Sequence, residues 1–300
     1  MASVTYAVLA REDDKTTAAV LPLLKGCDAF AHLSAVEGAA IQQRDAEDEE
    51  KLAVGINIAI EKKVISSNPN VADTIKIDVV GKCAEAVAAE IVGKLPAKTG
   101  NVVVLQGLSG TGKGTTVKKL QSHLDNCVCW SNGNVFRSIT HLLAEEFPQG
   151  SPFPEEAITA ERISKCVSRM DFCKVNGEFD VVIDGALRVS TIQNTLLKRP
   201  IISQRVPTVA KYTQGEVIQF GAVAVDILKS AGCNVILEGR AQTLNYIPTP
   251  LRFELIIPDI ELLGQRRAAQ RVVAAALSNL TPSATDDETT AAVLEAAKSL

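Results

Sequence analysis

The chain has 300 residues, about two domains at a soft prior of ~150 residues each. With 46% apolar and 22% charged residues it is not wholly disordered. Thirty-one Lys and Arg against 35 Asp and Glu leave a net charge of −4, which excludes a histone-like or tail-type nucleic-acid binder. No uncharged run of 18 apolar residues predicts a membrane span, and the opening MASVTYAVLAREDDK has no signal-like apolar core, so the sequence reads as cytoplasmic. Seven cysteines and three histidines show no metal-ligand spacing and read as reduced thiols and ordinary imidazoles.

In chain order, residues 4–9 are a short apolar run that suits a strand. Asp13 and Asp14 then offer an N-cap to a helix reaching Leu24. RDAEDEEK at 44–51 is acidic, lacks hydrophobic periodicity and reads as solvated. β-Branched residues surround charges at 57–65, and Asn68-Pro69-Asn70 is a turn. Between Asp73 and Leu95, residues Ile77, Val80, Ala84, Val87, Ala88, Ile91 and Leu95 follow 3.6-residue spacing, which predicts one amphipathic helix ended by Pro96. With PAKTGN at 96–101 as a linker, residues 1–97 read as an N-terminal α/β extension that carries no chemical motif and leaves room for a protein partner.

From residue 102 strands and helices alternate. Strands are predicted at 102–105, 127–130, 235–238 and 255–257, and helices at 113–124, 135–146, 217–231 and 260–277. Near-continuous apolar strands separated by helices imply a parallel sheet with helices on both faces. The alternation breaks at 172–183, where two short strands flank Asn176-Gly177, a pair suited to a turn with positive φ. An acidic turn at Asp286-Asp287-Glu288 precedes a terminal helix.

The strongest motif is GLSGTGKGTT at 107–116, directly after the strand VVVL. Gly107, four residues, then Gly112-Lys113 is the spacing of a phosphate-binding loop. Glycines let the backbone curl into a nest of N–H groups, and the helix that follows turns its positive end to the same anion. Lys113 reaches outer phosphates, and a hydroxyl after it serves Mg²⁺. These roles make Gly107, Ser109, Gly110, Thr111, Gly112, Lys113, Gly114, Thr115 and Thr116 the candidate ATP-binding residues, with Thr115 the metal ligand. The form with Gly114 between Lys113 and Thr115 is that of nucleoside monophosphate kinases.

Beyond the loop the chain resembles the cytidylate kinase family from about Asn101 to Arg271. Ser131-Asn132-Gly133-Asn134-Val135-Phe136-Arg137 is similar to the family's second motif. ILEGRAQTL at 236–244 resembles its strand ending in Gly-Arg-Asp, and PLRFELIIPDIELLGQRRAAQR at 250–271 resembles the next strand and the lid helix. The hairpin at 172–183 corresponds to the family's β-containing insert. The resemblance implies an α/β fold of nucleoside monophosphate kinase type: a domain over 98–280 with a monophosphate-binding insert at about 147–216 and a lid, followed by a tail at 281–300. It implies ATP- and Mg²⁺-dependent phosphoryl transfer to CMP or dCMP, with ATP and the monophosphate as partners and neither nucleic acid nor membrane. Asn132, Gly133, Arg137 and Arg240 would hold the acceptor phosphate. Lys113, Arg240, Arg266 and Arg267 would neutralise the transferring group, with Arg271 farther along the lid.

The sequence departs from the family at four places. Ser131 and Ala241 replace aspartates, and VAKYTQGEV at 209–217 lacks an arginine, with Lys211 nearest. The family's late acidic and basic cluster is not found after Arg271. Glu238 and Asp184 are the nearby carboxylates that compensate in this reading. The lost carboxylates keep open an alternative, a catalytically weakened nucleotide-binding scaffold or regulatory protein. A small-molecule kinase of another kind would share the loop but neither the Asn132–Arg137 motif nor the hairpin.

Overall fold

A computed structural model describes residues 4–146 and 154–300 of the chain. The apolar run at 4–9 is one helical turn, α1 (Tyr6–Leu9), and not a strand, because the Thr5 hydroxyl accepts the Val8 amide and caps it. In α2 (Asp14–Leu24) the Asp13 carboxylate takes the Lys15 and Thr16 amides as an N-cap. The 34-residue α3 (Asp28–Glu61) absorbs the acidic stretch at 44–51 and the first part of the β-branched stretch, to residue 61.

The single helix expected over 73–95 is two elements, β1 (Ile75–Asp78) and α4 (Ala84–Val92). Gly81, at φ +72°, turns the chain between them, and the helix stops at Gly93 before Pro96 is reached. Next come β2 (Val102–Gly107), α5 (Lys113–His123), β3 (Cys127–Trp130) and α6 (Asn132–Ala144). After α7 (Ala160–Val167) lie β4 (Met170–Val175), β5 (Glu178–Ile183), β6 (Leu187–Arg188) and α8 (Val189–Ile192). The chain continues with α9 (Pro200–Ser230), β7 (Asn234–Gly239), α10 (Ala241–Leu244), β8 (Leu251–Ile256), α11 (Ile260–Leu277) and α12 (Asp286–Ser299).

Five strands form one parallel sheet in the order β1-β8-β2-β7-β3, with β2 in the middle. Alternation along β2 assigns its side chains to opposite faces. Val103 and Leu105 pack with Val87 and Ile91 of α4 and Val117 and Leu120 of α5. Val102 and Val104 pack with Val135 and Ile139 of α6 and with Val217 and Leu228 of α9. Helices thus cover both faces, as the alternating sequence predicts. A separate antiparallel sheet, β4-β5-β6, includes the expected hairpin, with Asn176 at φ +52° and Gly177 at φ +90°.

Pairing and packing cross the expected boundaries near residues 97 and 280. β1 pairs with β8, and Val4, Leu9, Val20 and Leu24 share a core with Ala268, Val272 and Val293. α11, expected as a lid, is a core helix there, and α12, expected as a tail, closes the same core. The insert at 147–216 has no end at 216, because α9 runs through it unbroken from Pro200; its residues 147–153 lie outside the described ones. Among the described residues no helix is long and apolar enough to cross a membrane.

At the opposite end of the sheet from the glycine loop, a buried amide pair ties three strand starts together. Asn234 is fully buried; its Oδ1 accepts the Asn101 amide (3.1 Å) and the Asn101 side-chain amide (2.8 Å). Its own Nδ2 donates to Lys98 O and Asp125 O, both at 2.8 Å. Replacing it with leucine (Asn234→Leu) strands these buried groups, at about 1–3 kcal/mol for each one left unpaired. A fall in Tm on the order of 10 °C is expected by thermal denaturation, and an unchanged Tm would show the network to be dispensable.

Candidate functional site

Three left-handed glycines shape the turn after β2: Gly107 at φ +146°, Gly110 at +86° and Gly112 at +87°. Two are also pinned by space. A Cβ on Gly107 would lie 2.5 Å from Leu255 O, and one on Gly110 would lie 2.7 Å from Leu263 Cδ1. Gly112 is the N-cap of α5 and brings no side chain to cap it, so the first-turn amides are open to an anion. Lys113 curls back over the turn, donating to Gly107 O (2.7 Å) and Leu108 O (2.8 Å). Burial and the nearby Arg240 charge push the Lys113 ammonium pKa below its ordinary value, against the opposing charges of Glu238 and Asp45.

The mouth of this turn has two walls, and both include residues from before it in the chain. On one side Gly110, Gly112, Thr115 and Thr116 line a cleft with Glu12, Asp13, Thr17, Lys82, Arg266 and Gln270. Arg266 is half-buried with its Nη1 unpartnered. Burial lowers its pKa while the charge of Asp14 works the other way.

On the other side stands α3. Asp45, its side chain only 7% exposed, accepts from Arg240 Nη2 through Oδ1 (2.5 Å) and from the Ser109 amide through Oδ2 (3.0 Å). Asp48, one turn on, lies 3.4 Å from the same Arg240 nitrogen, and Arg44 Nη2 donates to the Ser109 hydroxyl at 2.5 Å. Burial works to raise the Asp45 carboxyl. The Arg240 and Ser109 hydrogen bonds, with the charges of Arg240 and Arg44, outweigh it and hold the group below the usual carboxylate range.

The expected site residues therefore divide. The glycine turn, Lys113, Thr115, Thr116 and Arg240 come together at the ends of β2 and β7, joined by Arg266 from α11. Arg267 and Arg271 turn instead to Glu37 of α3, Arg267 at 3.8 Å. Arg137 donates to Leu197 O (3.2 Å) and Ser203 Oγ (3.3 Å) beside the start of α9. Asn132 Oδ1 accepts the Trp130 indole, and a Cβ added at Gly133 would meet only Ser131 Oγ, at 3.4 Å. Ser131, standing where the resembled motif has aspartate, caps α6 through the Gly133 amide. Asp184 is bound to Arg169 and belongs to another cluster, whereas Glu238 adds its charge beside Lys113.

Arg44, Asp45 and Asp48 are the site residues that the sequence reading missed. These three charged residues lie on α3, ahead of the turn in the chain. Their spacing puts Asp45 and Asp48 on one helical face, a signal that a solvated helix carries equally well. Among the described residues no group of three or more His, Cys, Asp or Glu could hold a metal ion. No family model matches this chain, and no curated protein matches it either.

Proposed function

We propose that the protein binds the phosphate chain of ATP in the 107–116 turn and transfers its terminal phosphoryl group to a nucleoside monophosphate, CMP or dCMP by the resemblance to cytidylate kinases. The observation that carries this reading is the turn itself. A central parallel strand ends in three left-handed glycines, an uncapped helix start follows, and Lys113, Arg240 and Arg266 converge on it. The five-stranded parallel sheet with helices on both faces supports a nucleoside monophosphate kinase type of fold.

Bound ATP supplies the phosphoryl donor, and the chain's work is positioning and charge neutralisation. The amides from Gly110 to Thr115 would hold phosphate oxygens. Lys113 would leave the Gly107 and Leu108 carbonyls for the outer phosphates, and Arg240 would face the acceptor phosphate. Thr115, exposed in the cleft, would offer its hydroxyl to Mg²⁺, which would supply charge neutralisation at the phosphates.

A second reading, a nucleotide-binding regulator without turnover, is favoured by the carboxylate of Asp45 seated on a loop amide and on Arg240. A coupled assay with ATP, Mg²⁺ and CMP, dCMP, UMP or AMP separates the two. Transfer to a cytidine monophosphate is expected, with Lys113→Ala lowering kcat/KM by about 100-fold or more. If no monophosphate gains a phosphate above the Lys113→Ala background, the kinase reading falls. ATP binding by calorimetry without transfer would leave the regulator.

A further inference from the structure

We infer that Asp45 is a built-in counter-anion of the glycine turn, holding the Ser109 amide and Arg240 until a polyphosphate displaces it. The inference rests on the polyphosphate-binding reading above and adds a residue that sets the affinity of that site. Ser109 lies between two of the left-handed glycines, so its amide belongs to the same concave turn that would receive phosphate oxygens. One carboxylate oxygen takes that amide while the other takes Arg240 Nη2, so a single negative charge bridges backbone donor and guanidinium as a phosphate oxygen pair would.

The surrounding groups are arranged around that charge. Asp48 stands behind Asp45 on the same guanidinium, and Arg44 fastens the Ser109 hydroxyl. Lys113 is turned inward on two carbonyls. The Ser109 amide, Arg240, Lys113 and Arg44 thus already have acceptors from the chain itself, while the first-turn amides of α5 stay open. An arriving anion must exchange partners: it takes the Ser109 amide and Arg240, and Asp45 is left with the adjacent Arg44. A buried carboxylate that stayed in place would repel the incoming charge, so the exchange lowers affinity for any ligand that binds there.

Isothermal titration of the full chain with inorganic tripolyphosphate tests this. Asp45→Asn keeps the shape and removes the charge, and it is expected to bind tripolyphosphate about tenfold more tightly than the wild type. Asp48→Asn, more exposed and farther from the guanidinium, is expected to gain about two- to threefold. Should Asp45→Asn fold poorly, the Asp48 variant carries the same sign. Tripolyphosphate should also raise the Tm of either variant more than it raises that of the wild type. Unchanged or weaker binding by both variants would overturn the inference, making Asp45 a residue that merely orients Arg240. The Lys113→Ala control keeps the two ideas apart. Wild-type binding that is lost in Lys113→Ala supports the loop reading whatever the aspartate variants do. If neither the wild type nor Asp45→Asn binds, nothing competes with the carboxylate and the inference falls with that reading.

Discussion

Expressed from Lys98 onward, the chain is expected to accumulate in insoluble form and to show no cooperative thermal transition after refolding, because residues before it build one edge and one face of the sheet. Without β1 and α4, Phe253, Leu255, Val103, Leu105 and Leu120 lose Ile77, Val79, Val87, Ala88 and Ile91 from their common core. Without α1–α3, the buried stripe of α11 at Ala268, Ala269, Val272 and Val273 faces water. Burial of one Val, Leu, Ile or Phe side chain is worth about 1.5–3 kcal/mol. Losing the packing of about ten such residues therefore exceeds the roughly 5–15 kcal/mol of net stability available to a domain. Circular dichroism and a thermal scan of the 98–300 chain decide it. A soluble product with a sharp transition would show that the region after residue 97 is self-sufficient.

Gly264→Ala is expected to destabilise the protein by about 3 kcal/mol and to lower Tm by on the order of 10 °C, whereas Gly38→Ala in the same helix contact is expected to be neutral or mildly stabilising. At Gly264 of α11 an added Cβ would sit 2.2 Å from Ser34 O and 3.1 Å from Gly38 N, both backbone atoms of α3. No rotamer change relieves that overlap, so the two helices must move apart. From Gly38 the same contact looks different: its added Cβ would lie 3.6 Å from Gly264 Cα, an ordinary van der Waals distance. The gain at Gly38 would come from helix propensity alone. Because α3 carries Asp45 about two turns beyond Gly38, Gly264→Ala should also change tripolyphosphate affinity. Thermal denaturation of both variants checks the contrast, and equal losses in the two would refute the one-sided geometry.

Much of the second part of the chain is legible in its sequence. The strand at 127–130 and the helix at 260–277 appear with the expected limits, and Asn176-Gly177 makes the expected turn. There, periodicity and turn chemistry point the same way. In the first part they conflict. Ile77 belongs to a strand and Val87 to a helix, yet their spacing with Val80 and Ala84 imitates a single helical face. The break is marked only by Gly81.

α3 is hidden for another reason. It buries Phe30 and Leu33 on one set of neighbours and Ile56 and Ala59 on another, and makes close contacts through Gly38 and Gly55. A hydrophobic pattern gives a glycine no weight, and so the helix looks featureless. The glycine turn was readable because its groups are contiguous. Asp45 was not, since the guanidinium that makes it a site residue lies 195 positions away.

The strand order carries a consequence for synthesis. β1 is made early, but its hydrogen-bonding partners begin with Phe253 opposite Ile75. The apolar stripes of α1, α2 and α3 likewise wait for α11 and α12. A nascent chain leaving the ribosome therefore holds these segments uncovered until β8, α11 and α12 have been made, and the sheet closes by joining stretches far apart in the chain. Such distant pairing slows folding and leaves apolar surface exposed in the meantime.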